Sequence, residues 1–116
     1  MKVLVVDDNP INRLLPVVWL RRSGCEAEEC VDGYGALERL NEAVFDAVLL
    51  DVSMPGLSGI DVCRRLREAP ATAGLRIVAY TAHATPATIE DIKAAGFDDV
   101  LIKPITLEQL LRALSL

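Results

Sequence analysis

The stretch KVLVVDDNPINRLLPVVWLRRSG, residues 2–24, changes its period part-way along. KVLVVD is a short apolar, β-branched run that ends on acids, the pattern of a buried strand. Asn9 then offers an N-cap, Pro10 takes the first helical position, and Gly24 stops the helix that follows. A strand feeding a helix through so short a turn is half of a βα crossover, and the rest of the chain repeats the unit. EAEEC is a short polar strand before the helix GYGALERLNEA, and FDAVLL is a strand before SGIDVCRRLREA, with Ser58 as cap. LRIVAYT precedes TPATIEDIKAAG, which has Thr85 as cap, Pro86 at its first position and Gly96 at its end. DDVLI precedes TLEQLLRALSL, which opens on a Thr106…Gln109 capping box.

Five such units predict an α/β fold, a (βα)5 doubly wound parallel five-stranded sheet with helices on both faces, because crossovers between parallel strands are right-handed. EAEEC, the most polar strand, belongs at an edge, which gives the flavodoxin-like order 2-1-3-4-5. Strands one and three are then neighbours where the chain reverses its direction of growth, and ligands bind just beyond the C-terminal strand ends at that point. Asp7 and Asp8 follow strand one, Asp51 follows strand three, Thr81 follows strand four and Lys103 follows strand five.

Three carboxylates in one crevice repel each other unless a cation lies among them. The expected occupant is Mg2+, which takes oxygen ligands, keeps several waters and needs only one or two carboxylates. Asp8 and Asp51 suit direct ligation, and Asp7 ligation through water. A carboxylate such as Asp51 can also attack phosphorus and form an aspartyl-phosphate, provided the transferring oxygens are neutralised. Lys103, the Thr81 hydroxyl and a backbone N–H of the loop after Asp51 are the groups placed to do so.

Composition narrows the alternatives. The 116 residues are 52% hydrophobic, and no apolar run approaches the roughly 20 residues of a membrane span. One domain over residues 1–116, with no membrane partner, is therefore expected. MKVLVVDD lacks the features of an export signal, which points to a cytoplasmic location. A net charge of −5 without a basic cluster argues against direct nucleic-acid binding. Cys25, Cys30 and Cys63 have neither zinc nor redox spacing and read as reduced packing residues.

VVDDN, DAVLLDVSMPGLSG, AYTA and LIKP, in this order and at these separations, resemble the receiver domain of two-component response regulators, the CheY-like family, over essentially the whole chain. The resemblance implies that Asp51 accepts phosphate from a phosphohistidine on a partner, a histidine kinase or histidine phosphotransfer protein, and thereby switches a surface read by a downstream protein target. It implies a Mg2+ site made by Asp7, Asp8, Asp51 and the backbone carbonyl of Ser53. Thr81 and Lys103 would contact the phosphoryl group, and Lys103–Pro104 would be a cis peptide. Such a domain is an enzyme only in assisting its own phosphorylation and dephosphorylation. DDNPINRLL further resembles receivers of hybrid kinases and phosphorelays.

Other uses of the fold fit less well. A flavin or nucleotide module wants a Ser/Thr/Gly-rich loop after strand one, where DDNP places acid. An aspartyl phosphatase wants a second acid two residues past the nucleophile, where Ser53 stands. A scaffold that binds partners without phosphorylation has no use for the acids, hydroxyl and lysine together.

Two positions depart from the receiver pattern. Val100 stands where an aromatic residue often precedes the lysine by three, and Pro16 lies inside the first helix, where it should introduce a kink at a cost of about 3 kcal/mol. The i, i+4, i+8 spacing of Ile11, Leu15 and Trp19 assigns them to the inward face, leaving Leu14, Val17 and Val18 outside as a docking patch for a partner helix. His83 reads as an exposed loop residue near the mouth of the site, and Gly56 and Gly59 as turn glycines.

Overall fold

The computed structural model describes residues 1–82 and 84–115; His83 lies outside them. Five strands, β1 (Lys2–Val6), β2 (Glu26–Cys30), β3 (Ala47–Asp51), β4 (Arg76–Thr81) and β5 (Asp99–Ile102), form one parallel sheet in the order β2-β1-β3-β4-β5. Five helices alternate with them: α1 (Pro10–Arg22), α2 (Gly33–Glu42), α3 (Gly59–Glu68), α4 (Pro86–Ala95) and α5 (Leu107–Ala113). The architecture and strand order are those expected from the sequence.

Strand composition follows strand position. Every residue of β3, at the centre of the sheet, is buried. At the β2 edge only Ala27 is buried, while Glu28 meets Arg39 at 2.9 Å and Lys2 at 3.2 Å, so the edge carries charge rather than an apolar surface open to pairing. Alternation along the strands divides the core in two. Leu4, Val6, Val48, Leu50, Ile77 and Ala79 pack under α2, α3 and α4; Val3, Val5, Leu49, Val78, Tyr80 and Leu101 pack under α1 and α5.

Local signals set the helix starts. Asn9, Asp32, Ser58, Thr85 and Thr106 all cap with their side chains, and Thr106–Gln109 forms the expected capping box. Gly96 ends α4 with φ of 109°, a left-handed conformation that suits glycine. Arg67 of α3 secures that turn by donating to the Gly96 carbonyl at 2.9 Å and pairing with Asp98 at 2.9 Å.

The facing of α1 differs from expectation. Ile11 is 78% exposed and Leu15 54% exposed, whereas Val17 is buried with Pro16 and Leu20. The inward stripe is Arg13, Pro16, Val17 and Leu20, which is i, i+3, i+4, i+7 spacing led by a charged residue. Arg13 belongs to it because its guanidinium donates to the Asp7 carbonyl at 2.7 Å and meets Glu29 at 3.1 Å. Leu14 is exposed, as expected, and Val18 and Trp19 are half-buried. The helix runs through Pro16 without a break. The Asn12 carbonyl, which loses its helical donor there, belongs to an exposed residue that water can reach.

Candidate functional site

Parallel strands place all their C-terminal ends on one edge of the sheet, and the polar residues singled out in the sequence gather there. Asp7 directly follows β1, and Asp51 is the last residue of β3, the strand beside it. Carboxylate oxygens of Asp7, Asp8 and Asp51 lie within 4.8 Å of one another. Asp7 is fully buried, Asp51 is 3% exposed and Asp8 is exposed. Hydrophobic strands deliver the two buried acids, and exposure of Asp8 leaves the cluster open on one side. This all-oxygen donor set fits a hard divalent ion such as Mg2+.

Lys103 reaches the acids from the loop after β5. Its Nζ is 3.1 Å from Asp7 Oδ2 and 3.6 Å from Asp51 Oδ2. The turn that presents it is held by its backbone N–H, which donates to the Thr81 carbonyl at 2.9 Å, and the following Lys103–Pro104 peptide is cis. Thr81, the last residue of β4, is 1% exposed. Ser53 is exposed, and its backbone N–H donates to Asp51 Oδ1 at 3.1 Å, which fixes the carboxylate's orientation.

The loop after β3 is anchored by Met54 and Leu57, both buried. Gly56 has φ of 78°, as a turn glycine should. Gly59 plays a different part from the turn expected of it. It is the first residue of α3, where a Cβ would collide with the Asp51 carbonyl and the Val52 Cα, so glycine is needed for the helix to approach the end of β3.

The two buried carboxylates are electrostatically unlike. Burial pushes the Asp51 carboxyl up to about 6; the Asp7 charge adds to this, while Lys103 and the Ser53 N–H oppose it. Burial acts on Asp7 in the same direction, but hydrogen bonds from Tyr80, Asn9 and Lys103 outweigh it and hold Asp7 below the usual carboxylate range. Asp51 is thus the less compensated of the two buried acids.

Tyr80 is the participant that sequence reasoning missed. Its hydroxyl donates to Asp7 Oδ2 at 2.7 Å, and the Lys103 ammonium lies 4.4 Å from its ring centre. LRIVAYT reads as a plain apolar strand; the available signal was a phenol among aliphatics, since a buried tyrosine hydroxyl needs a polar partner. Arg13, likewise passed over, ties α1 to the β1 end through the Asp7 carbonyl.

Beside Lys103 a groove of about 430 Å³ separates α1 from the β5–α5 loop, lined by Ile11, Leu15, Trp19, Tyr80, Pro104 and Ile105 among others. Cys25, Cys30 and Cys63 are free thiols, Cys25 and Cys63 buried and Cys30 half-buried. No helix among the described residues is long and apolar enough to cross a membrane.

Comparison with known proteins agrees with this geometry. The family model described as response regulator receiver domain matches residues 3–115. The signal transduction histidine-protein kinase BarA of Escherichia coli K12 is 37% identical over 110 residues, covering 95% of this chain and 12% of the relative. The sensor protein GacS of Pseudomonas syringae is 40% identical over 112 residues, covering 94% and 12%. The chain thus spans about an eighth of the length of these curated relatives. Among solved structures, chemotaxis protein CheY4 of Vibrio cholerae superposes with a TM-score of 0.92 at 32% identity, covering 98% of this chain and 95% of that one. The receiver domain of sensor histidine kinase PA1611 from Pseudomonas aeruginosa, described with a magnesium ion in its active-site cleft, gives a TM-score of 0.91 at 32% identity, covering 98% and 93%.

Proposed function

The chain belongs to the response regulator receiver domain family, and from that premise we propose that residues 1–116 act as a cytoplasmic phosphorylation switch with Asp51 as the phosphoryl acceptor. The observation that carries the assignment is the convergence of Asp7, Asp8 and Asp51 with Lys103 Nζ at one sheet edge. Receiver domains bind Mg2+ at this acidic cluster, and those of hybrid kinases interact with histidine kinase or phosphotransfer partners.

Asp8 and Asp51 would hold the ion directly, together with the Ser53 carbonyl. Asp7 would act through water, because Oδ1 already accepts from the Asn9 N–H at 2.9 Å and Oδ2 from Tyr80 and Lys103. The bound ion would supply positive charge for a phosphoryl oxygen. The ionised Asp51 carboxylate attacks the phosphorus of a phosphohistidine in line; the P–N bond breaks and its electron pair returns to the donor's imidazole. Lys103 turns from Asp7 to the arriving oxygens, and the Thr81 hydroxyl donates to another, so charge in transfer meets groups already in place.

The histidine-bearing partner would dock on the groove beside α1, where Ile11 and Leu15 leave aliphatic surface next to Lys103. A downstream protein target would read the changed surface around the β4–α4 loop. The assignment is tested with a small phosphodonor: the wild type should acquire an acid-labile phosphate, and both Asp51→Asn and EDTA should abolish it. Labelling of Asp51→Asn at the wild-type rate would sink it.

A further inference from the structure

We propose that Tyr80 is a positioning residue for phosphoryl transfer: its hydroxyl keeps Asp7 compensated when Lys103 leaves Asp7 for the phosphoryl oxygens on Asp51. The inference rests on the receiver reading of Lys103 given above.

Tyr80 is the register partner of Asp51 on β4, and its side chain lies on the α1/α5 face of the sheet, 1% exposed. From there it reaches over β3 to the end of β1, and its hydroxyl meets Asp7 Oδ2 at 2.7 Å. Asp7 Oδ2 therefore has two donors, Tyr80 Oη from β4, a strand paired on both sides, and Lys103 Nζ on a flexible stem at 3.1 Å. Lys103 is the nearer to Asp7, since Asp51 Oδ2 stands at 3.6 Å.

For Lys103 to serve a phosphoryl group on Asp51, it must give up the shorter of its two ion pairs. A fully buried carboxylate stripped of a charged partner is strongly disfavoured, and that penalty would oppose transfer. The Tyr80 hydroxyl cannot follow Lys103, because its ring is buried in the core on the α1/α5 face. It stays on Asp7 as a charge-assisted donor and lowers the cost of the departure. The ring contributes separately. Its face lies 4.4 Å from Nζ, a cation–π contact that helps to place the ammonium beside the acids.

A plain packing role would be met equally by phenylalanine, so Tyr80→Phe isolates the hydroxyl. Without it Asp7 is under-compensated and attracts cations more strongly. Mg2+ should then bind about 3- to 10-fold tighter, the scale of the typical net contribution of one hydrogen bond. Labelling by a small phosphodonor at saturating Mg2+ should slow by a similar factor, because Lys103 is retained on Asp7. Loss of stability alone would not tighten metal binding while slowing transfer. Unchanged affinity and rate, or weakening of both, would overturn the proposal.

A measurement on the wild type guards against a variant that fails to fold. The chain has two tyrosines, and the other, Tyr34, is 62% exposed. With tyrosine labelled with carbon-13 at Cζ, the Tyr80 signal should move on adding Mg2+ and again on adding beryllofluoride; a signal that stays fixed through both additions overturns the role. If the wild type neither binds Mg2+ nor accepts phosphate, the receiver reading itself fails, an outcome separate from any difference between wild type and Tyr80→Phe.

Discussion

Lys103 Nζ stands 3.6 Å from Asp51 Oδ2, an ion pair made across the sheet edge from the end of β3 to the loop after β5. Lys103→Met keeps most of the aliphatic stem and removes the charge. Loss of one pre-placed group at a site of developing charge costs on the order of 100-fold in rate. Labelling of Lys103→Met by a small phosphodonor should fall by about that factor, while Mg2+ should bind no more weakly than to the wild type, because the three acids are intact and two of them lose a competing cation. A Lys103→Met protein labelled as fast as wild type would show that the lysine is only structural.

Asp51 also makes stability depend on pH. Its folded carboxyl is raised to about 6 from 3.8, so the folded state holds more protons than the unfolded one between those values, and stability falls as pH rises through that window. Asp51→Asn should therefore stabilise the metal-free protein at pH 7 by about 1–3 kcal/mol, and the gain should fade toward pH 4. Asp7 has the opposite sign: held below the ordinary carboxylate range, it supports the fold at neutral pH and that support is lost on acidification. Urea unfolding of both proteins across pH 4–8 in EDTA checks this; a gain that grows toward low pH contradicts it.

Leu15 is 54% exposed and lines the groove beside Lys103. Leu15→Lys should leave the fold and labelling by a small phosphodonor unchanged. Transfer from a phosphohistidine protein should slow by about 10-fold or more, as for the loss of a buried aliphatic anchor. Equal slowing with both donors would place the defect in chemistry rather than in docking.

Val100 is half-buried and packs against the cluster under α2, α3 and α4. With one χ angle and a branched stem it cannot make the swing of an aromatic ring. Beryllofluoride should therefore perturb amide signals mainly over residues 82–89, the β4–α4 loop and the first turn of α4. Methyl signals of Val100 should move little. A large rotamer change at Val100, with broad repacking of α4 and α5, would show that activation needs no aromatic there.

Much of this was written in local pattern. Short apolar runs ended by polar residues, the N-caps Asn9, Ser58, Thr85 and Thr106, and the polar composition of EAEEC were enough for the strand order, because a parallel sheet with short connections admits few arrangements. Once that order stands, Asp7, Asp8, Asp51, Thr81 and Lys103 must fall on one edge. The face of α1 was not legible in the same way. Apolar spacing favoured Ile11 and Leu15 as inward residues, but Arg13 heads the buried stripe because its guanidinium finds the Asp7 carbonyl and Glu29.

By itself, then, the sequence determined which residues lie at strand ends and hence which chemistry gathers there, since backbone periodicity and capping act over a few neighbouring residues. Only the tertiary structure decided how the gathered charges are shared. Asp7 takes the Tyr80 hydroxyl, the Asn9 N–H and the nearer contact of Lys103, which leaves Asp51 the less compensated acid. That division depends on side chains from β1, β3, β4 and the β5–α5 loop meeting within a few ångströms in a water-poor site. Their distances there, which no local pattern encodes, set the strength of each interaction.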